Sequence, residues 1–148
     1  MRAINHLFVY GSLRKANDGS LHPLFKNQVA FIGTASLPGK LYRVDTYPGY
    51  ISRLACNGFV VTGEVYRLNQ PVRLLKNLDE YEECARHFPQ PHEYKRLTKS
   101  VTLSNGRRLT CWVYVYNRQT AGLKEILDGD FLTYLPQSHV KQRQLHFS

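Results

Sequence analysis

The sequence contains no long hydrophobic run. None of its apolar segments approaches the roughly 20 residues of a transmembrane helix. The first residues, MRAINHLFVYGS, carry one Arg followed by only about four consecutive apolar residues, whereas a secretory signal needs ~7–15. We therefore expect a cytoplasmic protein that makes no membrane contact.

Cysteine is scarce, and its number is odd. Three cysteines do not form a disulfide framework, and they agree with a reducing compartment. Cys84, His87 and His92 are close in sequence, but their spacing does not match a zinc site. Ser12 lacks the Gly-x-Ser-x-Gly elbow of a serine hydrolase. We expect no metal and no cofactor.

Acidic residues are few, since 11 Asp and Glu face 20 Lys and Arg and the formal net charge is +9. The basic residues are scattered and lack the aromatic-plus-basic pattern of an RNA-binding sheet, so nucleic acid is not the expected partner. A basic surface also suits an anionic small molecule. The 148 residues, 43% of them hydrophobic, predict one folded domain over 1–135 and a basic tail over 136–148.

Strand patterns dominate the chain. HLFVYG predicts a buried strand that ends at Gly11, and GFVVTGEVYRL predicts another with a bulge at Gly63. Pro48-Gly49 predicts a turn. Asn105-Gly106 predicts a hairpin between two strands of alternating hydrophobicity.

One segment has helical periodicity. It begins with Asn69 or Gln70 as the cap and Pro71 in the first turn, and it must end before Pro89. Residues 122–135 predict a short amphipathic helix or a pair of turns. Many strands, short connections and a late helix together predict an α+β fold, a small and mostly antiparallel β-barrel with flanking helices.

The turn Tyr10-Gly11-Ser12-Leu13 is a candidate binding element. Glycine lets the backbone approach a ligand closely, and successive amides in such a turn can bind a carboxylate. An ordinary strand-end turn explains the same residues. Arg14 either assists an anionic ligand or faces solvent.

Glu82 is a candidate general base. It follows Leu75 and Leu78 on one helical face, in line with the apolar stripe. A carboxylate there is costly unless it has a task or a partner, and burial favours its protonated form. The alternative is a partly exposed Glu82 paired with Arg86.

The return strand of the hairpin carries aromatic residues on alternate positions. Trp112, Tyr114 and Tyr116 share one face. Such a face is typical of a core. Tyrosine hydroxyls in a barrel lumen can also orient a polar substrate, and we include Tyr116 among the candidate binding residues.

Several motifs occur in a characteristic order. They are FVYGSLR near residue 10, YPGY at 47–50, VTGEVYRL at 61–68, LDEYE at 78–82, EYKR at 93–96, CWVYVY at 111–116 and GDF at 129–131. Over about residues 7–134 the chain resembles the gamma-glutamylcyclotransferase-like family, especially its small bacterial members and its gamma-glutamylamine cyclotransferase branch.

The resemblance implies a small barrel with flanking helices and a pocket at the Tyr-Gly-Ser loop. It implies that Glu82 is catalytic and that Tyr94 lines the pocket, with the loop at Tyr10, Gly11, Ser12 and Leu13. Two features depart from the glutathione-degrading eukaryotic members: they carry Asn where Leu13 stands, and a longer insert, residues 83–94, separates Glu82 from Tyr94.

The resemblance also implies a reaction that needs no cofactor. The α-amine of a small-molecule γ-glutamyl substrate attacks its own γ-amide, and 5-oxoproline and a free amine or amino acid leave. A non-catalytic module that binds γ-glutamyl or other carboxylate metabolites is the alternative. The leaving amine and the oligomeric state stay open.

Overall fold

A computed structural model describes residues 3–11, 13–14, 21–44, 47–52, 59–82, 84–85 and 87–131. The tail at 136–148 therefore lies outside the described residues. The elements are β1 (His6–Val9), β2 (Val29–Pro38), β3 (Lys40–Arg43), β4 (Pro48–Ile51), β5 (Val60–Leu68), α1 (Pro71–Tyr81), β6 (Tyr94–Leu103), β7 (Arg108–Tyr116) and β8 (Lys124–Glu125), with one 3-10 turn at Pro23–Phe25. Within the described ranges, no helix is both long and apolar enough to cross a lipid bilayer.

Five strands close into a barrel in the order β1-β5-β2-β6-β7. All pairs are antiparallel except β1 with β7, which is parallel and closes the barrel at Leu7 and Trp112. A second sheet has the order β4-β3-β8. The predicted α+β fold with a small, mostly antiparallel barrel is confirmed.

Two hydrophobic clusters occupy the two sides of the barrel wall. Phe8, Val65 and Val113 belong to one cluster, and their chain neighbours Leu7, Tyr66 and Tyr114 belong to the other. The second cluster also contains Leu74, Leu75 and Leu78 of α1. Because successive side chains of a strand alternate sides, the first cluster fills the barrel and the second lies between its outer wall and α1.

Helix α1 forms where the helical periodicity predicts it. Pro71 occupies its first turn, and Gln70 stands at the N-cap without a side-chain capping hydrogen bond. Its buried leucines recur at the spacing of one helical face. The helix ends at Tyr81, so Glu82 is the C-cap residue.

The hairpin at Asn105-Gly106 is confirmed, with Gly106 at a φ of 90°. The turn predicted at Pro48-Gly49 is wrong, because both residues lie in β4. Residues 124–125 form a strand that pairs with β3, and turns flank it, so residues 122–130 contain turns, the second of the two predicted alternatives.

The bulge predicted at Gly63 is wrong as well. Gly63 pairs in register with Ala35, and the irregularity falls between Phe31 and Gly33 of β2. A Cβ atom at Gly63 would meet the carbonyl oxygen of Val9 and the ring of Phe8. Glycine is needed there for the close approach of two strands.

Candidate active site

The turn after β1 is buried at both of its ends. Tyr10 is fully buried in the cluster inside the barrel, whereas Leu13 is fully buried in the cluster beneath α1. Gly11 lies between them and is buried, and its carbonyl accepts a hydrogen bond of 3.1 Å from the amide of Arg14. Ser12, predicted to belong to this turn, lies outside the described residues.

The Tyr10 side chain holds three segments together. Its hydroxyl donates a 2.6 Å hydrogen bond to the carbonyl of Tyr114 on β7, and it accepts a 3.1 Å hydrogen bond from the amide of Tyr50 on β4. These contacts fix the start of the turn against two strands. The hydroxyl is thereby used within the fold, so the backbone of the turn is the part suited to a ligand.

Glu82 is buried, with 2% of its surface exposed. Its amide donates a 2.8 Å hydrogen bond to the carbonyl of Leu78, which closes the last turn of α1. The partly exposed glutamate considered as the alternative is therefore wrong, and its expected partner Arg86 lies outside the described residues. The helical periodicity correctly predicts a carboxylate on the core side.

Tyr94 is a buried phenol at the start of β6. Burial raises the pKa of its phenol well above the usual value, and the next largest contributions come from Tyr10 and from Glu82. The Tyr94 hydroxyl donates a 2.6 Å hydrogen bond to the carbonyl of Pro48. Tyr10 and Glu82, separated by some seventy positions in sequence, thus both contribute to the raised pKa of this one phenol.

Tyr116 stands beside Tyr94 with ring centroids 5.6 Å apart. Both rings belong to the cluster beneath α1. Burial and the nearby Glu93 raise the pKa of Tyr116, while Arg118 lowers it. Leu13, Leu78 and these two tyrosines thus share one apolar wall.

The sequence does not predict the polar cluster that Asp79, three residues before Glu82, forms with Arg96 and Tyr114. Asp79 accepts hydrogen bonds of 2.8 and 3.0 Å from Arg96 and of 2.7 Å from the hydroxyl of Tyr114. Burial, Asp79 and Glu82 raise the pKa of Cys84 to about 12, so this thiol is protonated at neutral pH and is no nucleophile.

Arg14 belongs to a second ionic cluster. Its guanidinium contacts Glu64 at 3.3 Å and Asp130 at 2.8 Å, and the side chains of Arg14 and Glu64 are each only 8% exposed. Tyr66 donates a 2.8 Å hydrogen bond to the other Glu64 oxygen. Arg14 thus does not face solvent, and two carboxylates already balance its charge.

An open cleft of about 610 Å³ lies between α1 and the β6–β7 sheet. Its walls include Val72, Lys76 and Trp112, and it contains none of the site residues predicted from the sequence. Among the described residues, no group of three or more His, Cys, Asp or Glu side chains is arranged to hold a metal ion.

Comparisons with known proteins agree on one family. A sequence model described as "Gamma-glutamyl cyclotransferase, AIG2-like" matches residues 7–133. The gamma-glutamylcyclotransferase family protein YtfP of Escherichia coli K12 is 34% identical over 127 residues, which cover 85% of this chain and 95% of that protein.

Solved structures show the same fold. The solution structure of ytfP from Escherichia coli matches with a TM-score of 0.59 and 31% identity, over 87% of this chain and 97% of that chain. The crystal structure of YkqA from Bacillus subtilis matches with a TM-score of 0.65 and 25% identity, over 95% of this chain and 44% of that chain. The ordered motifs, the barrel and the family match over most of the chain lead to one conclusion: the chain belongs to the gamma-glutamyl cyclotransferase, AIG2-like family.

Proposed function

We propose that the protein is a gamma-glutamyl cyclotransferase that converts a small γ-glutamyl amide into 5-oxoproline and a free amine or amino acid. The observation that carries the proposal is the burial of the Glu82 carboxylate at the C-terminal end of α1. Membership of the family supports the same class of reaction. The proposed location is the cytoplasm, and the proposed partner is the small-molecule substrate.

The reaction balances without water or a redox partner. The α-nitrogen of the substrate forms a bond to its γ-carbonyl carbon, and the bond from that carbon to the leaving nitrogen breaks. Two protons pass from the attacking ammonium to the leaving nitrogen. A single carboxylate can carry them in turn, first as base and then as acid.

Glu82 is the group proposed for this proton transfer. Its carboxylate is buried at the end of α1 and shielded from bulk water, which suits a group that takes up a proton and then returns it. Because attacker and target belong to one molecule, the protein needs mainly to hold the folded-back conformer. Tyr94 and Tyr116 provide a rigid aromatic wall suited to that task.

The turn at 10–13 is proposed to hold the carboxylate of the glutamyl group. Backbone amides can do so without a counter-charge. We assign the carboxylate to these amides and not to Arg14, because Glu64 and Asp130 already contact its guanidinium. The close backbone approach favours glycine at position 11.

A substrate screen tests the proposal. Purified protein is incubated with a panel of γ-glutamyl amines and γ-glutamyl dipeptides, and 5-oxoproline is measured by mass spectrometry. We expect release of 5-oxoproline from at least one member, with stoichiometric free amine. Saturable binding of a γ-glutamyl compound without any 5-oxoproline would contradict the proposal and favour a non-catalytic binding module.

A further inference from the structure

Helix α1 is fastened to the barrel at its last turn by one carboxylate. Both oxygens of Asp79 accept from Arg96, at 2.8 and 3.0 Å, and one of them also accepts from the Tyr114 hydroxyl at 2.7 Å. Three short hydrogen bonds, two of them in a paired fork, fix both the position and the plane of this carboxylate.

The surface that receives Asp79 is itself rigid. Arg96 and Tyr114 are directly opposite each other on the paired strands β6 and β7. The Arg96 guanidinium also lies over the Trp112 ring, 4.3 Å from its centroid. Arg96 is therefore held from two sides, and a planar, stacked guanidinium of this kind is not replaceable by Lys.

Asp79 lies three residues before Glu82, one helical turn away on neighbouring positions of the same surface. The helix ends at Tyr81, between Asp79 and the C-cap residue Glu82, and its last turn contains no basic residue. A helix end that no side-chain contact holds in place tends to fray. The Asp79 contacts therefore hold the segment that carries Glu82.

Tyr114 connects this segment to the other half of the site. Its hydroxyl donates to Asp79, and its carbonyl accepts from the hydroxyl of Tyr10, the residue before Gly11. One residue of β7 thus contacts both the end of α1 and the start of the proposed carboxylate-binding turn.

We propose that Asp79, held by Arg96 and Tyr114, is a positioning residue that sets the Glu82 carboxylate relative to the turn at Tyr10 and Gly11. The inference rests on the proposed cyclotransferase function. It assigns to Asp79 no contact with substrate. Asp79 affects Glu82 in two ways: it fixes the position of the end of α1, and it forms an ion pair with Arg96 that balances the charge near Glu82.

The charge balance around Glu82 gives the inference a specific signature. The charged or titratable groups that interact with Glu82 or with Asp79 are Cys84 on their own segment, Tyr94 and Arg96 on β6, and Tyr114 on β7. Asp79 and Glu82 both raise the pKa of Tyr114 and of Cys84, whereas Arg96 lowers that of Cys84. Removing either member of the Asp79–Arg96 pair leaves the charge of the other uncompensated.

The test measures kcat and KM for 5-oxoproline release against pH. In Asp79→Asn the remaining Arg96 charge should move the acidic limb of kcat/KM to lower pH, and in Arg96→Gln the remaining Asp79 charge should move it to higher pH. Arg96→Lys keeps the positive charge but loses the paired hydrogen bonds to Asp79. The acidic limb of kcat/KM should therefore stay at the same pH while kcat falls. Each of these three variants, and Tyr114→Phe, should lose roughly 10-fold or more in kcat with KM changed by less than about 3-fold.

The control is Lys95→Gln, which removes a positive charge from the exposed neighbouring position on β6. It should change neither kcat nor the pH of the acidic limb of kcat/KM. If the Asp79 contacts were purely structural, the variants would have a lower melting temperature, while kcat and the pH dependence of kcat/KM would be those of the unmodified protein. That result, in a protein that releases 5-oxoproline, would overturn the inference and leave the proposed function intact.

Amide hydrogen exchange keeps the inference testable without turnover. The Glu82 amide is protected by its bond to Leu78, and we expect it to exchange at least about 10-fold faster in Asp79→Asn and Tyr114→Phe. If the unmodified protein releases no 5-oxoproline, the proposed function fails. Unchanged exchange at Glu82 would then overturn the positioning role separately.

Discussion

The hydroxyl of Tyr10 donates a 2.6 Å hydrogen bond to the carbonyl of Tyr114, which lies 104 residues later in the chain. The same hydroxyl accepts from the amide of Tyr50. One buried side chain thus joins the end of β1 to β7 and to the second sheet. The proposed substrate turn begins at this residue.

Removing this hydroxyl should destabilise the protein. Tyr10→Phe leaves the Tyr114 carbonyl and the Tyr50 amide buried without this partner, so we expect a loss of about 1–3 kcal/mol in the free energy of unfolding. Urea denaturation measures it. Tyr50→Phe removes the 2.6 Å hydrogen bond to the Pro38 carbonyl and is the matched comparison. Equal losses in the two variants would contradict the bridging role of Tyr10.

A side chain at position 11 should prevent ligand binding. Gly11 is buried in the turn after β1, and a branched side chain would push the backbone of the turn away from its ligand. Calorimetry with a γ-glutamyl dipeptide, in the Glu82→Gln background to prevent turnover, should show no binding to Gly11→Val. Gly11→Ala should bind more weakly than Gly11 itself, and thermal melting checks that both variants fold. Unchanged affinity in a folded Gly11→Val protein would show that the turn is only structural.

Loss of Arg14 should cost more than loss of an exposed cation. Arg14→Met leaves Glu64 buried without its counter-charge, and breaking a buried pair costs roughly 3–5 kcal/mol. The control is Lys40→Met, whose pair with Glu125 is more exposed and should contribute under about 1 kcal/mol. Urea denaturation compares them, and similar losses in both variants would argue against a structural role for the Arg14 cluster.

His22 should make the fold sensitive to acid. Its Nδ1 accepts a 3.1 Å hydrogen bond from the amide of Leu24, and burial lowers the pKa of His22 below its usual value. The unfolded chain therefore binds this proton more readily than the folded one. The associated stability is complete above about pH 6.5 and is lost as the pH falls through that value toward the folded pKa.

His22→Asn keeps an acceptor for the Leu24 amide but does not titrate. We expect the free energy of unfolding of this variant to fall less between pH 7.5 and pH 5.5 than that of the unmodified protein. His6, whose pKa is also lowered by burial, is present in both proteins and cancels in the comparison. An identical pH dependence would exclude His22 as the sensitive group.

Local patterns predict the elements on which the site is built. Asn105-Gly106 determines one hairpin, and the spacing of Leu75, Leu78 and Glu82 predicts a buried carboxylate. These predictions succeed because turn chemistry and helical periodicity act over a few residues. The strand β8 is missed because its two residues are held by pairing with β3, more than eighty positions away.

The polar clusters depend on strand register, which the sequence alone does not reveal. Asp79 contacts both Arg96 and Tyr114 because these two residues are opposite each other across β6 and β7. Arg14 meets Glu64 because the strand end at Val9 lies beside Glu64 in β5. A shift of one residue in either pairing would place these side chains on opposite sides of the sheet.

The central claim is that Glu82 transfers the protons of the cyclisation, and the rate of 5-oxoproline release by Glu82→Gln tests it most directly. The substitution keeps size and hydrogen bonding but removes the base, so we predict a fall in kcat of roughly 10²–10⁴-fold in a protein that melts like the unmodified one. Glu80→Gln is the matched control, because Glu80 lies half-exposed beside His87 and should retain near-normal turnover. Near-normal release of 5-oxoproline by a folded Glu82→Gln protein would contradict the account.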